Sequence, residues 1–203
     1  MDFSEVFTQL AQQDAVEWVG LVTGLLYVLL ASYERSSCWI FGIISSGCIA
    51  WKSFTDYFLI ADGILQVFYM VIGVIGFLNW IRGRMTNHGK PIITNSLQKH
   101  ITGVAFCILI SWPTSWVLIH YAGARYGYLD TLLTFLSVWA TILLVWKDLH
   151  NWVYWMIIDI VYVGLYWKSE GYLFALLFFL YVLISVWGWK KWQSNFRLQG
   201  ESG

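Results

Sequence analysis

Seven runs of mostly apolar residues follow one another along this chain, near residues 16–33, 37–53, 57–81, 100–120, 130–147, 151–168 and 172–192. About 20 apolar residues is the length an α-helix needs to cross the hydrocarbon core of a bilayer. Lipid offers no partner to a backbone N–H or C=O, so runs of this length fold as helices that satisfy those groups internally. A soluble alternative fails on composition. Of 203 residues, 59% are hydrophobic and 12% charged, with a mean hydropathy of +0.62. A soluble domain carries about 25% charged residues, and this chain has too few to make a polar skin. The expected class is an all-α polytopic membrane protein with seven transmembrane helices.

The connections are short except for residues 82–99, RGRMTNHGKPIITNSLQK, where Gly, Pro and charges gather. This linker sets the expected organisation: an N-terminal extension (1–15), a first three-helix bundle (16–81), a loop and linker helix (82–129), a second three-helix bundle (130–192) and a C-terminal tail (193–203). Seven crossings place Arg35, Arg82, Arg84, Lys90, Lys99, Lys147, Lys190, Lys191 and Arg197 on one side, and Lys52, Arg125 and Lys168 on the other. Cytoplasmic loops carry the excess of Lys and Arg, which puts the C-terminus in the cytoplasm and the N-terminus outside. The opening residues lack a basic n-region and a small-residue cleavage site, so no signal peptide is expected. A formal net charge of zero gives no reason to expect a nucleic-acid partner. Cys38, Cys48 and Cys107 are scattered through apolar runs and read as small packing residues rather than a disulfide or metal framework.

The chain also repeats itself. Residues 51–80 and 167–192 both open on Trp-Lys-Ser, pass through an apolar run and close on Gly and then Trp. Twelve residues before each opening stands another Trp, Trp39 and Trp155. Spans one to three therefore echo spans five to seven, and the odd span between them makes the halves parallel. Parallel repeats of this kind occur in transporters that hold substrate near the midplane between the halves.

Polar side chains in hydrocarbon must face protein or water, and helical spacing shows which of them share a face. In span six, Trp152, Trp155, Asp159, Tyr162 and Tyr166 form one stripe. With a rise of about 1.5 Å per residue, Asp159 lies roughly 10 Å inside the span, too deep for so short a side chain to reach the surface. Span three aligns Asp62, Gln66, Tyr69, Gly73 and Gly76; span five aligns Asp130, Thr134, Ser137 and Thr141. Span one aligns Glu17, Gly20, Gly24 and Tyr27, and span two offers Gly42 and Ser45. If the stripes converge they enclose an aromatic cavity with a few acids. Each position has a plainer alternative. Trp152 suits an interfacial aromatic belt, Gly20 and Gly24 a helix-packing motif, Gln66 and Ser45 a bond to a neighbouring helix. Asp62 and Asp130 suit solvated helix ends, Glu17 a structural role at a terminus.

The chain carries no Walker Lys, GxSxG, HExxH or paired Cys, so neither an ATP-driven pump nor a membrane metalloprotease is expected. His88, His100, His120 and His150 stand at no ligand spacing, and no metal or cofactor is expected.

Three segments in order resemble the PnuC family of vitamin transporters. HNWVYWMIID, with Trp152 and Trp155, resembles its WxxW signature. ILQVFYMVIGVIGFLNW resembles its third-helix segment, and YLDTLLTFLSVWATILLVWKDLHNW its fifth helix, which opens near an Asp-Thr pair. The likeness runs over about residues 16–192. It implies a SWEET-like 3+1+3 fold, a homotrimer, and uptake of a vitamin by facilitated diffusion with trapping by a cytoplasmic kinase. Nicotinamide riboside is the best-known substrate of the family, and close relatives called PnuT carry thiamine. Riboside carriers typically have Asn where this chain has Asp159, and Asn where it has Ser45. An amide both donates to and accepts from a carboxamide, whereas an ionised carboxylate only accepts. That difference tilts the expected substrate toward thiamine, with nicotinamide riboside as the alternative. The expected site is Trp152 or Trp155 stacked on a cationic ring, with Asp159 accepting from it. Gln66, Tyr162 and Ser45 complete the polar shell, and Asp62, Tyr69, Asp130 and Thr134 are expected among the substrate-binding residues. A receptor or scaffold subunit and a proton-coupled symporter are the rival readings.

Overall fold

A computed structural model describes residues 14–56, 60–85, 90–122 and 127–201. The expected N-terminal extension lies outside them up to residue 13, as do the start of the expected third span at 57–59, His88 and Arg125. Among the described residues seven helices follow one another: α1 (Ala15–Ser32), α2 (Cys38–Thr55), α3 (Ile60–Met85), α4 (Leu97–Ala122), α5 (Gly127–Val145), α6 (Asn151–Lys168) and α7 (Tyr172–Glu201). Five of them, α1, α3, α4, α5 and α7, are long and apolar enough to cross a membrane by length and composition. The other two, α2 and α6, hold equivalent places in the two halves. Each packs between two neighbours, α1 and α3 for α2, α5 and α7 for α6. Polar or small residues lie in both: Ser45, Ser46 and Gly47 in α2, Asn151 and Asp159 in α6.

The helix ends have local causes. Asp14 caps α1: its side chain accepts from the Glu17 N–H at 2.9 Å while Glu17 accepts from the Asp14 N–H at 2.8 Å. This reciprocal capping box satisfies two backbone donors and assigns Glu17 its structural role. Pro113 sits inside α4, where it leaves one carbonyl without its helical donor. The expected tail does not leave the helix. Through Glu201 residues 193 onward continue α7, and Asn195 on that extension donates to Glu34 at 2.7 Å.

Connections between the halves are reciprocal: α1 packs on α7 and α3 on α5, while α4 packs mainly on α5 and meets α6 through His100 and Tyr154. The linker before α4 is docked by Ile93, which bonds to Lys147 at 3.0 Å and to Leu149 at 2.9 Å across the α5–α6 turn.

The repeat is present in a different register from the one its triplet suggests. Glu34 and Lys147 both take a left-handed backbone, at φ 55 and 58, in the turn before α2 and α6 respectively. Five residues after each stands a fully buried Trp, Trp39 and Trp152. Trp39 meets Trp80 edge-on at 5.6 Å and 88°; Trp152 meets Trp192 at 5.5 Å and 86°. The equivalent of Trp39 is thus Trp152, not Trp155, and the two Trp-Lys-Ser triplets sit about one turn apart in the repeat. Each Trp lies on a glycine of the third helix of its own half, Gly76 or Gly188, where an added Cβ would come within 2.5 or 2.8 Å of the ring.

Candidate functional site

The polar stripes meet between the halves at two depths. Asp159 stands about halfway along α6 and is 3% exposed. Among the described residues none donates a hydrogen bond to its carboxylate. Tyr181 of α7 lies within electrostatic range of it. The Tyr181 hydroxyl and the Ser45 Oγ both crowd the face of Gly24, 3.1 and 3.0 Å from where a Cβ would be. Gly24 is therefore needed for a close approach of two hydroxyls, beyond any role in helix packing. Ser45 donates its own proton to the Gly20 carbonyl at 2.7 Å, so towards the interior it presents only lone pairs.

Nearer the Lys52 end, α3, α5 and α6 bring a second set together. Asp62 accepts from Ser53, and Gln66 reaches it at 3.5 Å. Tyr162 lies near Asp130 and Thr134, and Tyr69 near Ser137. Asp62 and Asp130 are close enough to feel each other's charge. A ladder of rings closes this region on the α7 side: Tyr162 stacks on Phe178 at 4.8 Å, and Tyr166 lies between Phe178 at 5.4 Å and Phe174 at 5.2 Å. Beyond it, Lys52 gathers Asp14 at 2.7 Å, Asp56 and, at 3.9 Å, Glu17. The Lys52 ammonium holds the carboxyls of Asp14 and Asp56 below the ordinary carboxylate range. A depressed acid stabilises the fold above its unfolded pKa and loses that contribution as pH falls, so this polar lid weakens in acid.

The two signature tryptophans part company. Trp152 is 1% exposed inside the tryptophan cluster with Trp192, not in an interfacial belt, and its indole N–H finds no acceptor. Trp155 is partly exposed and packs against the buried cluster of Leu133, Ala140 and Ile158. Of the expected residues, Asp159 and Ser45 group with Tyr181. Asp62, Gln66, Tyr69, Asp130, Thr134 and Tyr162 form the second set, and Trp152 lies deeper toward the opposite end. Tyr181, Phe174 and Phe178 of α7 do not stand out in the sequence, because an apolar run with aromatics on every side gives no period that marks an inner face. Their spacing, one turn and then nearly another, is the signal that could have found them.

At that opposite end Lys147 pairs with Glu34 at 2.8 Å across the halves. Trp80 and Trp192 donate their indole N–H groups to Val145 at 3.1 Å and Ala31 at 3.2 Å, each the carbonyl of a helix in the other half. Lys90 rests over the Trp146 ring at 4.4 Å; burial, then the charge of Lys147, pull its ammonium down to about 8.

Fold and site define a class: a multi-pass helical membrane protein built from two three-helix repeats around a connecting helix, with polar groups gathered between the repeats. The chain belongs to the family described as "Nicotinamide mononucleotide transporter", which it matches over residues 14–194. It is a membrane transporter, not an enzyme. It is 25% identical to the nicotinamide riboside transporter PnuC of Escherichia coli K12 over 91% of this chain and 87% of that protein. Against PnuC of Neisseria mucosa it is also 25% identical, over 86% of this chain and 70% of the relative. The Haemophilus influenzae PnuC is 24% identical over 86% and 79%. In three dimensions the chain is similar to a solved structure described as the crystal structure of the vitamin B3 transporter PnuC, with a TM-score of 0.72 and 19% identity, over 95% of this chain and 87% of that one.

Proposed function

We propose that this chain carries nicotinamide riboside across the bacterial inner membrane by facilitated diffusion. The observation that carries the reading is Asp159, a carboxylate buried midway along α6 with no donor of its own. A pyridinium ring bearing a carboxamide brings it a positive charge and two N–H donors. The ring stacks on Trp155 or Tyr162, a contact worth about 2 kcal/mol once desolvated. Tyr181 and Ser45 close the shell at that depth, and Asp62, Gln66 and Asp130 draw a cation in from the Lys52 end. The halves then rock about the site, and a cytoplasmic kinase traps the product. The C-terminus faces the cytoplasm, and the assembly is a homotrimer.

Support for the riboside over thiamine comes from the relatives, each named for nicotinamide riboside. Thiamine remains a second reading on one residue, since the carboxylate of Asp159 also suits an aminopyrimidine. Binding to purified protein, followed by Trp fluorescence with the two vitamins side by side, separates them. The riboside should bind at least tenfold tighter; tight binding of thiamine alone would reverse the assignment. Uptake into vesicles should equilibrate after the proton gradient is dissipated, and its collapse would instead favour a proton-coupled symporter with Asp159 or Asp62 as the carrier.

A further inference from the structure

The end of the bundle that carries Lys147 holds a side-chain cluster that the transport reading leaves unused. His100 begins α4, Asp148 lies in the α5–α6 turn, and His150 follows two residues on. Each offers one ligand atom, and the three atoms lie within 4.8 Å of one another. Nε2 of His100 is 3.8 Å from one Asp148 oxygen, and Nδ1 of His150 is 3.1 Å from the other. The two imidazole centroids are 4.9 Å apart.

One atom in this group is out of place for a simple hydrogen-bonded staple. Nε2 of His100 is buried and has no hydrogen-bond partner, and 3.8 Å is too long for one. A buried nitrogen left unsatisfied is destabilising. A metal ion accounts for it. Nitrogen and carboxylate ligands bind Zn2+ at about 2.0–2.2 Å, which sets two of them roughly 3.4 Å apart on a tetrahedral ion. The 3.1 and 3.8 Å separations run to the two different oxygens of Asp148, and the three ligand atoms spread over as much as 4.8 Å, so the rings would have to close in on an ion bound at one oxygen. The surroundings are those of a supported ligand set, in which outer hydrogen bonds fix each ring and carboxylate. The Tyr154 hydroxyl meets Nδ1 of His100 at 3.2 Å, leaving Nε2 to face the cluster. Asp148, whose side chain is wholly buried, accepts from the N–H groups of Asn95 at 2.9 Å and His150 at 2.8 Å. The His150 side chain is 38% exposed, which gives an ion a route in and leaves a fourth position for water.

We propose that His100, Asp148 and His150 form a binding site for a divalent transition ion of the Zn2+ type. The ion ties the connecting helix α4 to the α5–α6 turn. It reinforces a helix that otherwise packs mainly on α5, with the His100–Tyr154 contact to α6 and the short Ile93 pairing beside it. Imidazole and carboxylate together suit Zn2+ and its neighbours better than Mg2+ or Ca2+.

The test uses the full chain in detergent, free of any histidine tag and stripped with chelator. Titration with Co2+ should give an absorption band that saturates at one ion per chain and is displaced by Zn2+. Zn2+ should raise the melting temperature, since an ion that binds the folded state alone stabilises it. His100→Gln and His150→Gln should each weaken Co2+ binding at least tenfold and abolish the thermal shift. Failure of the unaltered protein to take up a stoichiometric ion overturns the site, whether or not the variants fold, and so does unchanged affinity in both variants.

Discussion

Asp159 destabilises the empty protein. A carboxylate in a residue 3% exposed, with no donor among the described residues, has given up most of its hydration without a bond in return. Such a group persists where it meets its partner only in the loaded state. Asp159→Leu should therefore raise the melting temperature of the ligand-free protein while reducing uptake into vesicles to background. A variant that melts lower and still transports would remove the carboxylate from the site. This residue was legible in the sequence, because an acid in the middle of an apolar run is too costly to keep without a use. Its neighbour was not: Tyr181 differs in no visible way from the other aromatics of α7, and only the packing of α7 on α1 brings it to Gly24. The cluster of His100, Asp148 and His150 was hidden for a related reason. Ligand spacing can be read within one element, but here one histidine comes from a helix and the other from a turn fifty residues away.

The helices were legible from length and hydropathy. Their register was harder. Trp-Lys-Ser is a conspicuous triplet, yet it marks helix ends at slightly different heights, while the true equivalence rests on glycine beneath tryptophan. Gly76 and Gly188 leave no room for a methyl group under Trp39 and Trp152. Overpacking a closed interior costs about 1–3 kcal/mol. Gly76→Ala and Gly188→Ala should each lower the melting temperature in detergent, and a silent Gly76→Ala would mean the ring moves aside freely. The far end of α7 misled for a different reason. Lys190, Lys191 and Arg197 read as the edge of the membrane, but a helix need not stop at such an edge. Trp192 and Asn195 are held by the first half through Ala31 and Glu34.

At the scale of the molecule, the halves are joined at one end by crossed indole bonds and an ion pair, and meet through polar side chains at the other. Rocking of the halves is then easiest about the Lys147 end. Glu34 and Lys147 stand side by side across that joint, both side chains largely buried. Removing one partner of a buried pair costs about 3–5 kcal/mol, because the other charge is left stranded. Glu34→Lys or Lys147→Glu alone should cause severe loss of folded protein on size-exclusion chromatography. The double exchange should recover much of it; no recovery would mean that the surrounding Trp80 and Asn195 fix the polarity of the pair.

The two residues of this pair occupy the same place in the repeat, with the same left-handed backbone and opposite signs. Two copies of the first half would set Glu34 against Glu34, and two copies of the second would set Lys147 against Lys147. Neither half can recognise itself. Each has become the obligate counterpart of the other, so a chain cut in the linker should reassemble only as one half with the opposite half, never as a pair of twins.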